Sequence, residues 1–465
     1  MGDDISLVRS RKVTGTGEGL VSHAGLVWLA EVADGVGLTE GFVDATSELE
    51  WRKHRPGRSL AQLVLALADG ADCVSDLAGL RDQQALFGTV PSHPTAWRTF
   101  DRLGPSELRG IDAAINAARS KAWAAGAAPT DELFIADFDA TIVRTRADKQ
   151  DARPTYKRTY GHHPLVAMNV ETHEILAMTL RPGNAGSNTA ADHVVLLDEV
   201  LTGLPFKPTP LEITDADNTD EGDSGDERGL RAVLVRSDAA GATHWFAEHC
   251  RTTQCRFSFG YQIAGTVRDA LLLVDEDDWT PALNSNGKPR ANAQIVELTH
   301  LVELGTWPEG TRLIVRREQP HPGAQLSLFD SVNGYRHQAV ITDQTGTPAA
   351  LELRHRQRAR AEQVIRDAKA CGLDNLPFDC VVNNTIWTKL VTAAVNLLAW
   401  AKRLTLTGAL RRATPKTIRY RLLHIAGRVN TRRLDLDRHW PWTTTLTAAL
   451  DQLHTLLRPP TVTTS

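Results

Sequence analysis

The chain has 465 residues, enough for one large domain or for two to three ordinary domains with cores of their own. Its five cysteines are few, odd in number and without zinc-ligand spacing, which argues against a disulfide framework and a structural zinc site and indicates a reducing compartment. The sequence has no signal peptide and no apolar run of about 18 residues, so we expect a cytoplasmic protein.

The formal net charge of −4 is unevenly distributed along the chain. Residues 351–465 hold 19 Lys and Arg against 8 Asp and Glu, a net charge of +11, so residues 1–350 carry −15. Seven acidic residues lie in one segment, Asp215–Glu227, which is predicted to be a solvated loop. The basic C-terminal third is expected to attract phosphate backbones, although a solvated helical face would have the same composition.

The N-terminal part of the chain has helical periodicity. Residues 1–22 are polar and glycine-rich and are interpreted as a disordered arm, whereas residues 23–130 predict a helical, DNA-binding module. Within it, HPTAWRTFDRLG places Trp97 and Arg98 on one helix, as in the reading element of a helix-turn-helix motif. Core packing is the better explanation for Trp97, whereas Arg98 is a candidate DNA contact.

The rest of the chain predicts an α/β protein. Residues 131–263 read as three strands, a helix, a strand, a helix and a strand, which is the pattern of an α/β layer. Residues 264–345 contain short strands with Pro and Gly turns and predict a β-rich insertion. The α/β domain is expected to resume over residues 346–376, and a basic helical region is expected over residues 377–465.

Two of the predicted strands end in acidic residues. ELFIADFDATIV places Asp137 and Asp139 at the end of the first strand, and VLVRSDAAG places Asp238 at the end of the fourth. Because open α/β sheets bind ligands at the carboxyl ends of their strands, these aspartates are candidate functional residues.

A third acidic residue lies on a predicted helix. The stretch RHRQRARAEQVIRDAK, residues 354–369, contains no Gly or Pro and predicts one continuous helix. At about 100° per residue, the helix places His355, Arg358, Glu362 and Lys369 on one narrow face. A carboxylate flanked by cations indicates a functional site, although a surface stripe of salt bridges would have the same pattern.

Asp139, Asp238 and Glu362 together form a minimal carboxylate set for two Mg²⁺ ions, with Mn²⁺ able to substitute. Two such ions, roughly 4 Å apart, activate the attacking oxygen and stabilise the leaving oxygen in an in-line phosphoryl displacement.

This pattern resembles the DDE transposases of bacterial insertion sequences, in the subgroup with a Tyr-x2-Arg-x3-Glu-x6-Lys helix and a β-strand insertion domain. Arg358, Glu362 and Lys369 match that spacing, whereas His355 stands where the pattern has tyrosine. The segments DATIV, YGHHPL, LRPGNAGSNTAADH, RREQPHPGAQL and LDNLP extend the resemblance over nearly the whole chain.

The resemblance implies a ribonuclease-H-like catalytic domain in which the first and fourth strands lie side by side. Asp139 matches the family's first acid, because a small residue and Thr follow it, and Asp137 is then a supporting residue beside the catalytic acids. Asp238 and Glu362 would complete the catalytic and metal-binding set.

The implied activity is Mg²⁺-dependent cleavage of transposon ends and strand transfer into target DNA by a cut-and-paste route. Water attacks the transposon end first, and the freed 3′-hydroxyl then attacks target DNA. The expected partners are double-stranded DNA of the terminal repeats and of the target, bound by a homodimer. Arg354, His355, Arg358 and Lys369 are expected to contact the DNA.

Two other functions fit part of the sequence. DFDAT also matches the Asp-x-Asp-x-Thr box of haloacid-dehalogenase-like phosphatases, with Asp137 as nucleophile and Asp139 as general acid. That function leaves the face formed by Arg358, Glu362 and Lys369 unexplained. A DNA-binding derivative without catalysis is the third alternative, and the presence of all three acids argues against it.

Two further features lie in the insertion. Trp279 and Trp307 are candidates for stacking on a flipped base, as in related transposases, although core packing is the better explanation for each. QLSLF, Gln325–Phe329, resembles the peptide by which bacterial proteins bind the replication sliding clamp. A β-strand with Leu326 and Leu328 facing a core is the favoured alternative.

Overall fold

The computed structural model describes residues 17–186, 189–209, 229–263, 265–320, 331–332, 334–431 and 433–457. The predicted acidic loop Asp215–Glu227 and the segment Gln325–Phe329 lie outside the described residues. None of the helices in the described part of the chain combines the length and the apolarity that a membrane span needs.

The N-terminal module is helical, as predicted. One short strand and seven α-helices form it: β1 (Leu20–Val21), α1 (Leu26–Gly35), α2 (Leu38–Ala45), α3 (Pro56–Asp69), α4 (Ala78–Arg81), α5 (Gln84–Phe87), α6 (His93–Phe100) and α7 (Pro105–Ala122). Helix α3 begins with Pro at its first turn and ends at Gly70, which adopts the left-handed conformation that suits a helix C-terminus. The end of the predicted disordered arm is ordered here, because β1 pairs with a strand near the C-terminus, Gly427–Asn430.

The main strands and helices of the α/β region follow the predicted order, and four short strands that were not predicted lie among them. The elements are β2 (Phe134–Ala140), β3 (Val143–Arg144), β4 (Arg153–Pro154), β5 (Tyr160–His162), β6 (Leu165–Asn169), β7 (Glu174–Thr179), α8 (Ala190–Gly203), β8 (Phe206–Thr209), β9 (Gly229–Ser237), α9 (His244–Thr252) and β10 (Arg256–Tyr261). The central strands lie in the order β7-β6-β2-β9-β10. Strand β6 is antiparallel to β2 and β7, whereas β9 is parallel to both β2 and β10.

This order places the first and fourth of the five main strands side by side, as the resemblance implied. The mixed sheet with helices packed on it fits a ribonuclease-H-like catalytic domain, so the predicted fold class is confirmed.

The insertion continues the same sheet. Its elements are α10 (Thr266–Leu271), β11 (Thr280–Leu283), β12 (Pro289–Glu297), β13 (Arg312–Glu318), β14 (Ser331–Val332) and β15 (Tyr335–Thr342). Strand β15 pairs antiparallel with β10, and β13, β12 and β11 follow it outward. The insertion therefore extends the sheet from the β10 edge.

The C-terminal region is mostly helical. It comprises α11 (Pro348–Arg356), α12 (Ala361–Ala368), α13 (Val381–Thr405), α14 (Gly408–Arg411), α15 (Pro415–Ile418), β16 (Gly427–Asn430), β17 (Arg433–Leu436) and α16 (Thr443–Leu457). Helix α13 is buried along most of its length and packs against α3 and β7.

The helix predicted over residues 354–369 is less regular than expected. It begins earlier, at Pro348, where the Thr347 hydroxyl caps the backbone N–H of Ala350. A 3₁₀ turn at Gln357–Arg360 separates α11 from α12. The turn contains Arg358, whose Nη2 lies 3.6 Å from Asp139 Oδ2, and helix propensity carries no information on such a contact.

The two faces of the sheet have different partners. Phe138 of β2 faces α8 and α9, with its ring 6.4 Å from that of His193 and 5.6 Å from that of Phe246. Side chains alternate along a strand, so Asp137 and Asp139 point to the opposite face, toward α11 and α12.

A buried ion pair joins the N-terminal helices to the far edge of the sheet. Arg119 of α7 lies 3.2 Å from Glu174 of β7, and both side chains are almost completely buried. The indole of Trp123 donates to the same carboxylate at 2.8 Å. Arg119 also donates to the carbonyl oxygens of Ile175 and Leu176.

We expect Glu174→Ala to lower the free energy of unfolding by about 3–5 kcal/mol, because it leaves the Arg119 guanidinium buried without its counterion. Urea denaturation followed by tryptophan fluorescence measures the effect. Asp379→Ala is the control, because Asp379 pairs with Arg146 at the surface and exposed pairs contribute little. Equal losses in the two variants would contradict this account.

Candidate active site

Asp139 and Asp238 lie at the same end of two adjacent parallel strands. The last residues that pair between β2 and β9 are Phe138 and Ser237. Asp139 directly follows Phe138, and Asp238 directly follows Ser237. One oxygen of each carboxylate accepts a backbone N–H, from Ala140 at 2.8 Å and from Ala240 at 3.0 Å. The backbone therefore fixes both carboxylates and leaves the second oxygen of each for another partner.

The second oxygens of both aspartates face Arg358. Its Nη2 lies 3.6 Å from Asp139 Oδ2 and 3.9 Å from Asp238 Oδ2. The Asp139 side chain is 18% exposed and that of Asp238 is 54% exposed, so the pair spans the boundary between interior and solvent. The Arg358 Nε atom is buried and has no hydrogen-bond partner among the residues that the structure describes. Arg358 thus forms an ion pair with each aspartate, at distances longer than a hydrogen bond.

Glu362 follows Arg358 by about one helical turn, at the start of α12. Glu362, Arg358 and Asp238 line one cavity of about 700 Å³, which extends along β10 and β15. A second cavity of about 510 Å³ contains both Asp139 and Asp238. The three acids predicted from the sequence are therefore gathered around one region. Their ligand atoms do not all approach within 4.8 Å of one another, as those of His23, Asp69 and His424 do.

The electrostatics of the site disfavour a further negative charge. Burial raises the pKa of Asp139, and the carboxylates of Asp238 and Glu362 raise it further, while Arg358 opposes them. The repulsion between neighbouring carboxylates raises the pKa of Asp139, and a cation bound among them would reduce that repulsion. The donor set is therefore suited to a hard divalent cation, which prefers carboxylate oxygens.

Asp137 occupies a different environment from Asp139. It is fully buried and forms two hydrogen bonds of 2.8 Å each with the guanidinium of Arg236. Arg236 is its neighbour across the parallel pair of β2 and β9, and it also donates to the carbonyl oxygen of Arg354 in α11. A carboxylate held on both oxygens in the core is poorly placed to attack a substrate, which argues against the phosphatase alternative.

His355 is positioned above the sheet next to Arg358. Its Nδ1 lies 2.9 Å from the Ser258 hydroxyl of β10, and the ring borders the larger cavity. Burial, together with Arg358 and Arg236, lowers the pKa of His355 to about 3. The ring is therefore neutral at physiological pH, and it can donate one hydrogen bond but adds no charge.

The other predicted cations take separate positions. Lys369 donates to the carbonyl oxygen of Ile142 at 3.1 Å, just after the strand that carries Asp139. Arg354 donates to the side chain of Gln344 at 2.6 Å and does not border either cavity.

Arg98 lies outside this region, in the N-terminal module. It lines a concavity of about 560 Å³ together with Arg52, Lys53, Arg81 and Arg102, and none of the described residues that line it is acidic. Its neighbour Trp97 packs against Phe378, with ring centroids 4.4 Å apart. The sequence interpretation of Trp97 as a core residue is confirmed.

Trp279 and Trp307 are buried, each only 8% exposed. The Arg317 guanidinium covers the Trp279 ring at 4.1 Å, and Trp307 packs between His244 and Tyr261. Core packing, the favoured explanation of both residues, agrees with these contacts. Neither ring is open to a DNA base in this structure.

Two residues at the site were missed by the sequence analysis. Arg236 precedes Asp238 by two positions, so the two side chains point to the same face of the sheet. That spacing could have identified Arg236 as a residue of the site. Tyr156 borders the smaller cavity beside Asp139, and it had no pattern that would distinguish it from a loop residue.

Comparison with known proteins gives one family. The sequence profile of the family described as transposase DDE domain group 1 matches residues 5–204 and 226–458. No curated protein sequence matches the chain significantly. Among solved structures, the chain is similar to the piggyBac transposase in a synaptic complex with hairpin DNA, with 8% identity and a TM-score of 0.41. That match covers 95% of this chain and 87% of the other.

We expect Asp137→Asn to destabilise the fold by about 3–5 kcal/mol, because it leaves Arg236 buried without its counterion. Asp139→Asn should instead leave the melting temperature in metal-free buffer unchanged or higher, because it removes a charge that burial and two carboxylates disfavour. Thermal unfolding of both variants tests this. A stable Asp137→Asn protein without activity would favour the nucleophile of the phosphatase alternative.

Proposed function

Because the chain belongs to the transposase DDE domain family, we propose that it is the transposase of a bacterial insertion sequence and works by a cut-and-paste route. Family membership makes it a DNA transposase, an enzyme that cleaves DNA and transfers strands. The observation that carries the finer proposal is the convergence of Asp139 and Asp238 on one nitrogen of Arg358, beside Glu362.

Asp139, Asp238 and Glu362 are proposed as the catalytic acids and as the ligands of two Mg²⁺ ions, which Mn²⁺ can replace. The family in general uses divalent metal ions. Each aspartate keeps one oxygen on a backbone N–H and turns the other toward the shared space, which suits a hard cation. When bound, the ions supply activation of the attacking oxygen and stabilisation of the leaving oxygen.

Arg358 and His355 are proposed to hold the scissile phosphate. Arg358 borders the cavity that Asp238 and Glu362 also line, so its guanidinium can donate a charge-assisted hydrogen bond to a phosphate oxygen there. If the Ser258 hydroxyl donates to His355 Nδ1, the proton of the ring lies on Nε2, the nitrogen that Ser258 does not engage. His355 then acts as a neutral donor in the place where the family pattern has tyrosine.

The DNA on either side of the cut is proposed to follow basic side chains. Lys369, which donates to the carbonyl oxygen of Ile142 just after the strand that carries Asp139, is proposed to contact a phosphate there. Arg354, which donates to Gln344, is proposed to support the helix. The concavity around Arg98 would bind the backbone of the transposon end further along the duplex. Two ends must be held together for transposition, so we propose a homodimer on terminal-repeat and target DNA.

The enzyme is proposed to act in the cytoplasm, where bacterial DNA lies. Gln325–Phe329 is proposed to contact the replication sliding clamp.

Asp139→Asn, Asp238→Asn and Glu362→Gln should each reduce metal-dependent cleavage of the transposon end by more than about 100-fold, the usual limit for residues that only support ligands. DNA binding should change little, because none of the three removes a cation. Nicks are mapped on the genomic DNA that flanks the gene, with Mg²⁺ or Mn²⁺ present. The control is Asp374→Asn, an exposed carboxylate that pairs with Lys369. Full cleavage by any of the three variants would remove that residue from the proposed set.

Arg98→Ala should weaken binding of the end duplex and reduce the slope of log K against log salt by about 1, because one phosphate contact is lost. Cleavage at saturating DNA should be unchanged. Arg109→Ala, on an exposed position of α7, is the matched control. Binding curves at several salt concentrations measure both variants. An unchanged slope in Arg98→Ala would remove this concavity from the DNA path.

A further inference from the structure

Two histidines and an aspartate from three distant parts of the chain meet on the N-terminal module. His23 precedes α1, Asp69 is the last residue of α3, and His424 lies shortly before β16. His23 Nδ1 lies 2.6 Å from Asp69 Oδ2, and His424 Nε2 lies 2.8 Å from Asp69 Oδ1. The two imidazole rings stack with their centroids 4.2 Å apart. These three side chains, here called the His-Asp-His cluster, include no residue of the candidate active site.

Backbone contacts fix the two segments that carry the histidines. The Ala24 N–H donates to the carbonyl oxygen of Ile425 at 3.1 Å, and the Gly25 N–H donates to that of Leu423 at 3.2 Å. Strand β1, which lies just before the first segment, pairs with β16, which lies just after the second. The backbone therefore brings the two rings together, before any contact with the carboxylate is counted.

Asp69 lies at the C-terminal end of α3, where a cation is favoured. The helix ends at Gly70, and the carbonyl groups of its last turn carry partial negative charge. Arg419 donates to one of them, that of Ala68, at 2.8 Å. The Asp69 side chain is only 10% exposed, and its ion-pair partners among the described residues are the two histidines. A carboxylate so little exposed to water favours a compensating positive charge, which two neutral imidazoles do not supply.

The cluster has the ligand types and the spacing of a transition-metal site. Imidazole nitrogens and carboxylate oxygens bind Zn²⁺ at about 2.0–2.2 Å, so a tetrahedral ion separates its ligand atoms by about 3.4 Å. One ligand atom from each of the three side chains lies within 4.8 Å of the other two. The two imidazole side chains are 29% and 40% exposed, which leaves a route for an ion to enter. The cysteine spacing that argued against a structural zinc site does not bear on this cluster, which contains no cysteine.

We propose that His23, Asp69 and His424 bind one Zn²⁺ ion, with water as the fourth ligand, and that the ion links the segment before α1, the end of α3 and the segment before β16. The ion supplies the positive charge that the carboxylate and the helix end favour. Asp69 lies 46 residues from one histidine and 355 from the other along the chain, so the complete ligand set exists only in the folded protein. Zn²⁺ bound there stabilises the fold. This site is structural, and it goes beyond the proposed function.

The test counts the Zn²⁺ ions that the full-length protein binds after chelator treatment, by competition with a chromophoric chelator. His424→Gln is the deciding variant, because glutamine can still donate a hydrogen bond to Asp69 but is not an ordinary Zn²⁺ ligand. We expect it to bind one Zn²⁺ ion fewer per chain than the wild type. His424→Cys, which provides a good Zn²⁺ ligand, should bind the full number.

His454→Ala is the matched control, because the imidazole of His454 also contacts a carboxylate, that of Glu31, and belongs to the same C-terminal region. It should bind as many Zn²⁺ ions as the wild type. Zn²⁺ bound at the candidate active site contributes equally to all of these proteins, so the difference in number reports on the His-Asp-His cluster alone. The result therefore does not depend on whether the enzyme cleaves DNA.

Thermal unfolding provides a second measurement. Zn²⁺ should raise the melting temperature of the wild type and of His424→Cys more than that of His424→Gln. Equal numbers of bound ions in the wild type and His424→Gln, or equal rises in melting temperature, would overturn the metal site and leave a cluster held by hydrogen bonds. If His424→Gln does not fold, His23→Gln gives the same comparison from the other ring.

Discussion

The buried ion pair between Asp137 and Arg236 is the interaction on which the arrangement of the candidate active site depends. It crosses from β2 to β9 and continues through Arg236 to the backbone of α11. Because residues two positions apart on a strand share a face, the pair places Asp139 and Asp238 one step further toward solvent on the same two strands. One charge pair therefore aligns two strand ends and the helix that carries Arg358 and Glu362.

A fully buried ion pair adds little net stability when it forms, but loss of one partner lowers the stability of the fold strongly. Taking both charges out of water offsets much of their attraction, whereas loss of either partner leaves a bare charge in the core. The neighbouring carboxylates of Asp139 and Asp238 lie closer to solvent than this pair, and the pKa of Asp139 is raised. The ion pair of Asp137 and Arg236 is thus fully hydrogen-bonded in the core, whereas the carboxylates of Asp139 and Asp238 at the cavity lack a full set of partners among the described residues. This is the distribution expected when the buried pair stabilises the fold and the carboxylates at the cavity carry the chemistry.

Much of this could be predicted from the sequence. The strands that carry Asp139 and Asp238 have strong apolar runs, and the resemblance to DDE transposases implied that the first and fourth strands are neighbours. The shared face of His355, Arg358 and Glu362 also follows from helical spacing, even with the 3₁₀ turn. What periodicity could not provide were contacts between distant segments, such as Asp137 with Arg236 or Ser258 with His355.

The sequence also could not separate buried from exposed aromatics. Trp279 and Tyr156 both lie between polar residues, yet Arg317 covers the first, whereas the second is 75% exposed. Burial is decided by which strands pair across the sheet, and those pairings join residues far apart in the chain. The extension of the sheet by β15 and β13 could not be read from local patterns for the same reason.

The net charge of −4 is a sum over the whole chain, and several cations lie together near the candidate active site. Lys369 contacts the segment that follows Asp139, and Arg144, Arg146 and Lys149 of that same segment line a further concavity with Asn375. The stretch after Asn375 reaches α6 through the contact of Phe378 with Trp97, and the next residue of α6 is Arg98. The packing of Phe378 on Trp97 thus connects the segment after Asn375 to the helix that carries Arg98. Screening in salt limits charge effects to about 8–10 Å, so these local cations matter more for a phosphate backbone than the acidic surplus elsewhere.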